Sequence, residues 1–308
     1  MKMPTPHLEK LRAALANEKL PQEDTAIIKA AIERYQRWIT SLQSVKSEDM
    51  SQIAVDMVGL LNEYRLYLDV EVIFDREADF LYRQKGQIKL DNSVLEEFLP
   101  HLIYKCIIER GSAENVVIGP TTTFSSVYFA SSLHPPVSGG GLTVRTKDQD
   151  FAIARPLFIH ASYDRHFTDK KDTISKALFI GYILAECKTN LDKTMFQEAV
   201  ATAHDTKSAV TGSKYYLLCE WLDMTPQSTA ATDIDEVIIL RKQKRLSSNV
   251  RTAYSSFEGR KKEREAYRKF LTDNPFRPEM FLRFVNHVNA ALNLKEETET
   301  NVLNQGYF

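Results

Sequence analysis

Apolar residues Ile27, Ile28, Ala31, Ile32, Tyr35, Trp38, Ile39 and Leu42 recur at intervals of three and four, the spacing that gathers them on one face of a helix. Asp24 and Thr25 are suited to cap its start. After a polar break at residues 47–49, Ile53, Met57, Leu60, Leu61 and Tyr64 repeat the spacing, and no Gly/Pro cluster intervenes before residues 84–86. The pattern predicts two or three helices over residues 8–80, with stripes that serve packing. Val94, Leu95, Phe98, Leu99, Leu102 and Ile103 mark a further helix.

Beyond that helix the texture changes to short apolar stretches divided by Gly, Pro and Ser-rich turns. Strands are predicted at residues 116–118, 122–131, 142–146 and 151–161, with a loop at 135–141. A hairpin-like connection over 164–176 leads to an apolar strand at 178–185, closed by Glu186-Cys187-Lys188. Helical spacing returns at 194–210, followed by strands at 215–222 and 237–240. The chain therefore reads as helices first, then strand, hairpin, strand, helix, strand, strand.

Composition narrows the class. Of 308 residues, 43% are hydrophobic and 26% charged, with 11 Gly and 11 Pro, which excludes collagen-like, low-complexity and wholly disordered chains. The longest apolar run, residues 177–185, is well short of the roughly 20 needed to cross a bilayer, and no secretory signal pattern opens the chain. A soluble, cytoplasmic protein is expected. Cys106, Cys187 and Cys219 are odd in number and widely spaced, as expected of reduced thiols rather than of disulfides or a zinc knuckle.

The net charge of −1 conceals a local asymmetry: residues 241–269 hold 11 Lys/Arg against 3 Asp/Glu, whereas residues 1–85 hold 12 against 14. An anionic partner is expected near the basic stretch. Several enzyme signatures are missing. Ser138–Gly141 lacks the Gly-Lys-Ser/Thr ending of a phosphate loop, and there is neither a Gly-x-Ser-x-Gly elbow nor a His-Glu-x-x-His helix.

The feature that carries chemistry is the charged end of the apolar strand. Side chains alternate along a strand, so Glu186 and Lys188 leave on one face while Cys187 turns to the apolar one. Upstream, Lys147-Asp148-Gln149-Asp150 leads into a strand able to pair with it, and Asp148 and Asp150 share a face by the same alternation. Carboxylates on neighbouring strands make a hard oxygen site suited to Mg²⁺, with the Cys187 backbone carbonyl as a third ligand. Phosphodiester hydrolysis needs an activated water and stabilisation of charge on phosphorus and on the leaving oxygen, which a metal and a lysine supply together. Glu-x-Lys alone is commonplace; its place between an Asp-led strand and a following helix and strand singles it out.

The segments Val94-Leu95-Glu96-Glu97-Phe98, Thr146-Lys147-Asp148-Gln149-Asp150-Phe151, Ala185-Glu186-Cys187-Lys188-Thr189 and Thr232-Asp233-Ile234-Asp235-Glu236-Val237 resemble, in the same order, those of Bpu10I-type restriction endonucleases. The resemblance covers about residues 90–245. It implies the PD-(D/E)XK nuclease superfamily and an α/β (α+β) fold: a restriction-endonuclease-like core with a central mixed sheet flanked by helices, preceded by an N-terminal helical region. It also implies Mg²⁺-dependent, site-specific hydrolysis of double-stranded DNA, and a second nuclease subunit, identical or different. Asp150 and Glu186 would be metal ligands, with Glu96 a weaker candidate that is read as lying nearer the apolar stripe than Glu97. Lys188 would orient or deprotonate the attacking water. Gln149 replaces the family's usual proline, which leaves Asp148 as a competitor of Asp150.

The expected organisation is an N-terminal helical region at 1–85, a nuclease core at 86–245 and a basic helical C-terminal region at 246–308. Arg241, Lys242, Lys244, Arg245, Arg251, Lys261 and Lys262, set among Tyr254, Phe257 and Tyr267, are the expected DNA-backbone contacts. Asp233 and Asp235 are read as a polar turn, Gln197 and Glu198 as surface residues, and His160 and His166 as bystanders. Two other functions fit the same residues: a DNA-recognition or assembly subunit with weak catalysis, and a repair nuclease without sequence preference.

Overall fold

The computed structural model describes residues 3–110, 115–130, 137–293 and 298–307. Residues 131–136, which include the end of one predicted strand and the start of the predicted loop, lie outside the described residues.

The described residues open with α1 (Pro6–Leu15), followed by α2 (Thr25–Ser44) and α3 (Met50–Tyr67), which lie where the apolar spacing predicts helices. Pro6 occupies the first turn of α1, where a missing N–H costs nothing, and the Asp49 side chain accepts from Ser51 N to cap α3. Ile28, Ala31, Tyr35, Trp38 and Leu42 form the buried stripe of α2. A buried π-helical turn, Leu68–Phe74, continues α3, and the short α4 (Phe80–Gln84) follows. Helix α5 (Ser93–Cys106) is buried on nearly every side, because it lies between the N-terminal helices and the sheet. Tight apolar packing leaves two adjacent acids inside: Glu97 is fully buried and Glu96 nearly so, the reverse of the expected ranking.

Among the described residues the sheet has five strands in sequence order: β1 (Val117–Tyr128), β2 (Thr143–Ala161), β3 (Ile174–Leu191), β4 (Lys214–Leu222) and β5 (Glu236–Ile239). Strands β1, β2 and β3 run antiparallel, whereas β3, β4 and β5 run parallel. A parallel neighbour needs a crossover, which α6 (Lys193–Ala209) provides, capped by Asp192 accepting from Met195 N. The mixed sheet flanked by helices is the architecture expected.

Strand alternation divides the core. Phe151, Ile153, Ala185, Cys187, Tyr216 and Leu218 face the helical side, in one cluster with the buried residues of α2, α3 and α5. Ala152, Leu184, Tyr215, Leu217 and Cys219 face α6, against Phe196, Ala199 and Ala203. Among the described residues the chain continues with α7 (Ser248–Ala253), α8 (Phe257–Asp273), α9 (Pro278–Leu292) and α10 (Glu299–Gln305). Helix α9 buries Phe281, Phe284, Val285 and Val288 in the same core as α3 and α5, so α9 is part of the body.

Two pairs of predicted strands are single strands. Residues 143–149 pair only with β1, where Asp148 accepts from Thr122 Oγ1 at 2.6 Å, so the polar run that reads as a break continues the ladder. Strand β1 passes through Pro120 at a register shift, with Gly119 at φ 121°. The distal parts of β2 and β3 form an antiparallel ribbon with Leu157 and Phe158 both exposed, Phe158 at 68%, although Leu178, the partner of Leu157, is buried.

Candidate active site

The last ladder pair of β2 and β3 on the body side is Phe151 with Ala185, which sets Asp150 beside Glu186 and Cys187. Asp150 Oδ2 accepts the Cys187 backbone N–H at 3.0 Å. Glu186 and Lys188 emerge on one face, as alternation requires, and their Oε1 and Nζ atoms are 2.6 Å apart. Tyr215 of the adjacent strand donates its hydroxyl to Glu186 Oε2 at 3.0 Å. Cys187 points into the core, where burial raises its thiol pKa well above the ordinary value and leaves the sulfur inert.

A third wall comes from the segment entering α5. Lys89, Asn92 and Glu96 are spaced by three and four, and all three reach the strand ends. Lys89 Nζ lies 3.1 Å from Glu96 Oε1 and 3.2 Å from Asp150 Oδ1, and Asn92 Nδ2 donates to the Cys187 carbonyl at 2.9 Å. Lys89, Asn92, Asp150, Glu186, Cys187 and Lys188 line a cleft of about 660 Å³ shared with Arg83, Lys85, Arg245 and Arg251, a predominantly cationic rim over an acidic floor, with Glu96 buried behind it.

The charges are mutually dependent. Burial raises the Glu96 pKa, and the neighbouring Asp150 charge raises it further against the opposing pull of Lys89. For Lys89, burial opposes the charge, but Asp150 and Glu96 outweigh it and raise the pKa. Lys188 follows the same balance: burial opposes its charge, and the hydrogen bond and charge of Glu186 prevail. Both lysines are therefore held as ammonium ions.

The donor chemistry fits a hard divalent cation. Asp150, Glu186, Glu96 and the Cys187 carbonyl are all oxygen donors, and Mg²⁺ takes only one or two carboxylates and keeps several waters. Asn92 Oδ1 is also buried there and makes no hydrogen bond. Among the described residues no three His, Cys, Asp or Glu side chains converge on one point; Lys89 pairs with both Glu96 and Asp150, and Lys188 pairs with Glu186.

The structure brings together Asp150, Glu186, Lys188, Cys187 and Glu96, and leaves Asp148 exposed and bonded to Thr122, two residues up the strand. Lys89 and Asn92 were not anticipated. Their spacing to Glu96 was the available signal, but residues 85–92 lack an apolar stripe that would have identified them as one face. Asp235 binds Lys207, Lys214 and Tyr215 N, and Asp233 binds His204, the polar turn expected. His160 bonds to Ser175 far along the ribbon.

The basic stretch needs a correction. Arg241 is 3% exposed, pairs with Glu220 at 3.3 Å and lies over the Trp221 and Phe276 rings at 4.7 and 3.8 Å, so its guanidinium cannot reach a phosphate. Of the other expected contacts, Arg245 and Arg251 line the cleft, both near Asp223. Lys242 is exposed and pairs with Glu279, and Lys244, Lys261 and Lys262 are exposed outside the cleft lining.

The profile of the Bpu10I restriction endonuclease family matches residues 87–308, well over half of the chain. The chain belongs to this family. All of the acidic and basic groups that meet at the strand ends lie within the Bpu10I-family match. A chain of the native BbvCI A2B2 tetramer shares the fold, with a TM-score of 0.64 over 96% of this chain and 100% of that chain at 16% identity. The likeness thus extends over the N-terminal helices that precede the Bpu10I-family match. No curated protein matches the chain. Among the described residues, no helix of this Bpu10I-family member is long and apolar enough to cross a membrane.

Proposed function

We propose that the chain is a type II restriction endonuclease subunit that hydrolyses phosphodiester bonds of double-stranded DNA in the PD-(D/E)XK manner. The observation that carries the reading is Asp150 hydrogen-bonded to the Cys187 N–H, between Glu186 and Lys188, on the floor of a cationic cleft. Asp150 and Glu186, with the Cys187 carbonyl and Glu96 nearby, would hold Mg²⁺, which supplies charge stabilisation at the scissile phosphate and a more acidic water. Lys188, kept charged beside Glu186, orients the attacking water and offsets negative charge building on phosphorus rather than removing a proton. Arg83, Lys85, Arg245 and Arg251 border the cleft and suit backbone phosphates. The expected products carry 5′-phosphate and 3′-hydroxyl ends.

One such site cuts one strand, so a double-strand break calls for a second nuclease subunit. The matched BbvCI structure is an A2B2 tetramer. In this chain the ribbon and its flanks expose Tyr128, Phe129, Leu157, Phe158, Tyr163 and Phe167, more large apolar side chains than an isolated surface ordinarily carries, and they suit a subunit contact.

Plasmid incubated with Mg²⁺ and the protein, with and without a partner encoded beside it, tests the reading. Discrete bands are expected, and Lys188→Ala should remove scission while preserving DNA binding. Cleavage by Lys188→Ala at the parental rate would refute the site assignment, and a smear of products would favour a nuclease without sequence preference.

A further inference from the structure

We infer that Lys89 is the resident counter-ion of the carboxylate site and competes with the divalent cation for Asp150 and Glu96. The inference rests on the proposal that these carboxylates bind a metal. Three observations carry it. The Lys89 ammonium bridges one oxygen of each acid, at 3.2 and 3.1 Å, the position a shared cation would take. Its backbone sits at φ 50°, a region uncommon for a residue with a Cβ, in a turn closed by Lys89 N donating to the Gly86 carbonyl at 3.2 Å and Leu90 N to that of Lys85 at 2.9 Å. The Lys89 side chain is 44% exposed although the Glu96 side chain is 6% exposed, which leaves the ammonium an open way back to solvent.

Two carboxylates of a nearly buried pair repel each other, and a tethered ammonium satisfies them at no loss of translational freedom. A divalent ion arriving at the same oxygens must displace it. A lysine is a compact charge on a flexible stem, suited to such an exchange. The cationic rim of the cleft offers a DNA phosphate a place to bind, and that phosphate gives the displaced ammonium a new partner. Metal loading is thereby weak in the DNA-free protein and strengthened by substrate.

Calorimetric titration of Mn²⁺ into the full-length, DNA-free protein tests this, with folding of each variant checked by circular dichroism. Lys89→Met should bind Mn²⁺ more tightly than the parent, by on the order of tenfold, since a unit charge a few ångströms away is removed from the site. Lys89→Gln, a polar second variant, should behave likewise, and Lys89→Arg should keep the weak parental affinity. Asp150→Asn should lose binding in every background. Equal or weaker binding by Lys89→Met and Lys89→Gln, with binding still lost in Asp150→Asn, overturns the role of Lys89 and leaves the metal site standing. Binding undiminished in Asp150→Asn, or absent from every variant, overturns the metal reading and the inference with it.

Discussion

The Cys187 backbone N–H donates to Asp150 Oδ2 at 3.0 Å, just past the last ladder pair of β2 and β3. The carboxylate takes over where the ladder stops, so the position of Asp150 relative to Glu186 is fixed by main chain rather than by a flexible side-chain contact. Asp148, on the same face, is bonded to Thr122 instead. Asp150→Ala should therefore abolish plasmid cleavage, whereas Asp148→Ala should leave it within about twofold, as for a surface substitution away from the chemistry. A reversed pair of rates would return the role to Asp148.

Tyr215 is buried, and its hydroxyl is the donor that holds Glu186 Oε2 from the side opposite Lys188. Tyr215→Phe deletes that donor and little volume. A hydrogen bond to a charged group is worth about 1.5–3 kcal/mol, so the cleavage rate at saturating DNA should fall by roughly tenfold or more. DNA affinity measured without metal should be unchanged. A loss confined to DNA affinity would mean that Tyr215 does not position Glu186.

The sheet and its charged strand end were legible in the sequence because alternation makes them so: Ala185 and Cys187 belong to the core, and Glu186 and Lys188 leave on the other face. The helical stripe of α2 was legible for the same reason at a different period. Residues 143–149 were not, since a polar run pairing on one side only carries no apolar alternation to mark it as strand. The third wall of the site escaped notice because Lys89 and Asn92 precede α5 in a segment without a stripe. Charge density misled at Arg241: aromatic neighbours anchor it inside, and sequence does not separate a buried cation from an exposed one.

Glu97 links the chain start to α5, accepting from His7 N at 2.9 Å and from the Tyr35 hydroxyl. Burial pushes its pKa up to about 7 from an ordinary 4.5. A carboxyl with a raised folded-state pKa stabilises the fold fully below its unfolded value, and that contribution is lost as pH rises through the folded value. The stability of the parent relative to Glu97→Gln should thus be greatest near pH 4.5 and decline towards pH 7. Urea midpoints for both proteins across that range would show it. A difference that grows with pH would mean that Glu97 is ionised throughout. Comparison with Gln removes the opposite slope of His7, whose pKa burial lowers to about 3 and which therefore costs stability as pH falls below 6.5 in both proteins.

Glu220 is fully buried between Arg65, at 2.9 Å, and Arg241, at 3.3 Å, and the Arg241 guanidinium also donates to the Asn274 carbonyl. Removing one partner of a buried ionic cluster leaves charge uncompensated, so Arg241→Ala should cost about 3–5 kcal/mol of stability. Arg245 is half-exposed, with one pairing to Asp223 at 3.0 Å, and lines the cleft. Its replacement by Ala should change stability by no more than about 1 kcal/mol. It should instead weaken DNA binding and lower the slope of log affinity against log salt by about one, as for a lost phosphate contact. Urea denaturation and DNA titrations at several salt concentrations separate the two arginines: Arg241→Ala should preserve the salt slope of its folded fraction, and Arg245→Ala should preserve the urea midpoint. A slope lost with Arg241 and kept with Arg245 would place the phosphate path away from this cleft.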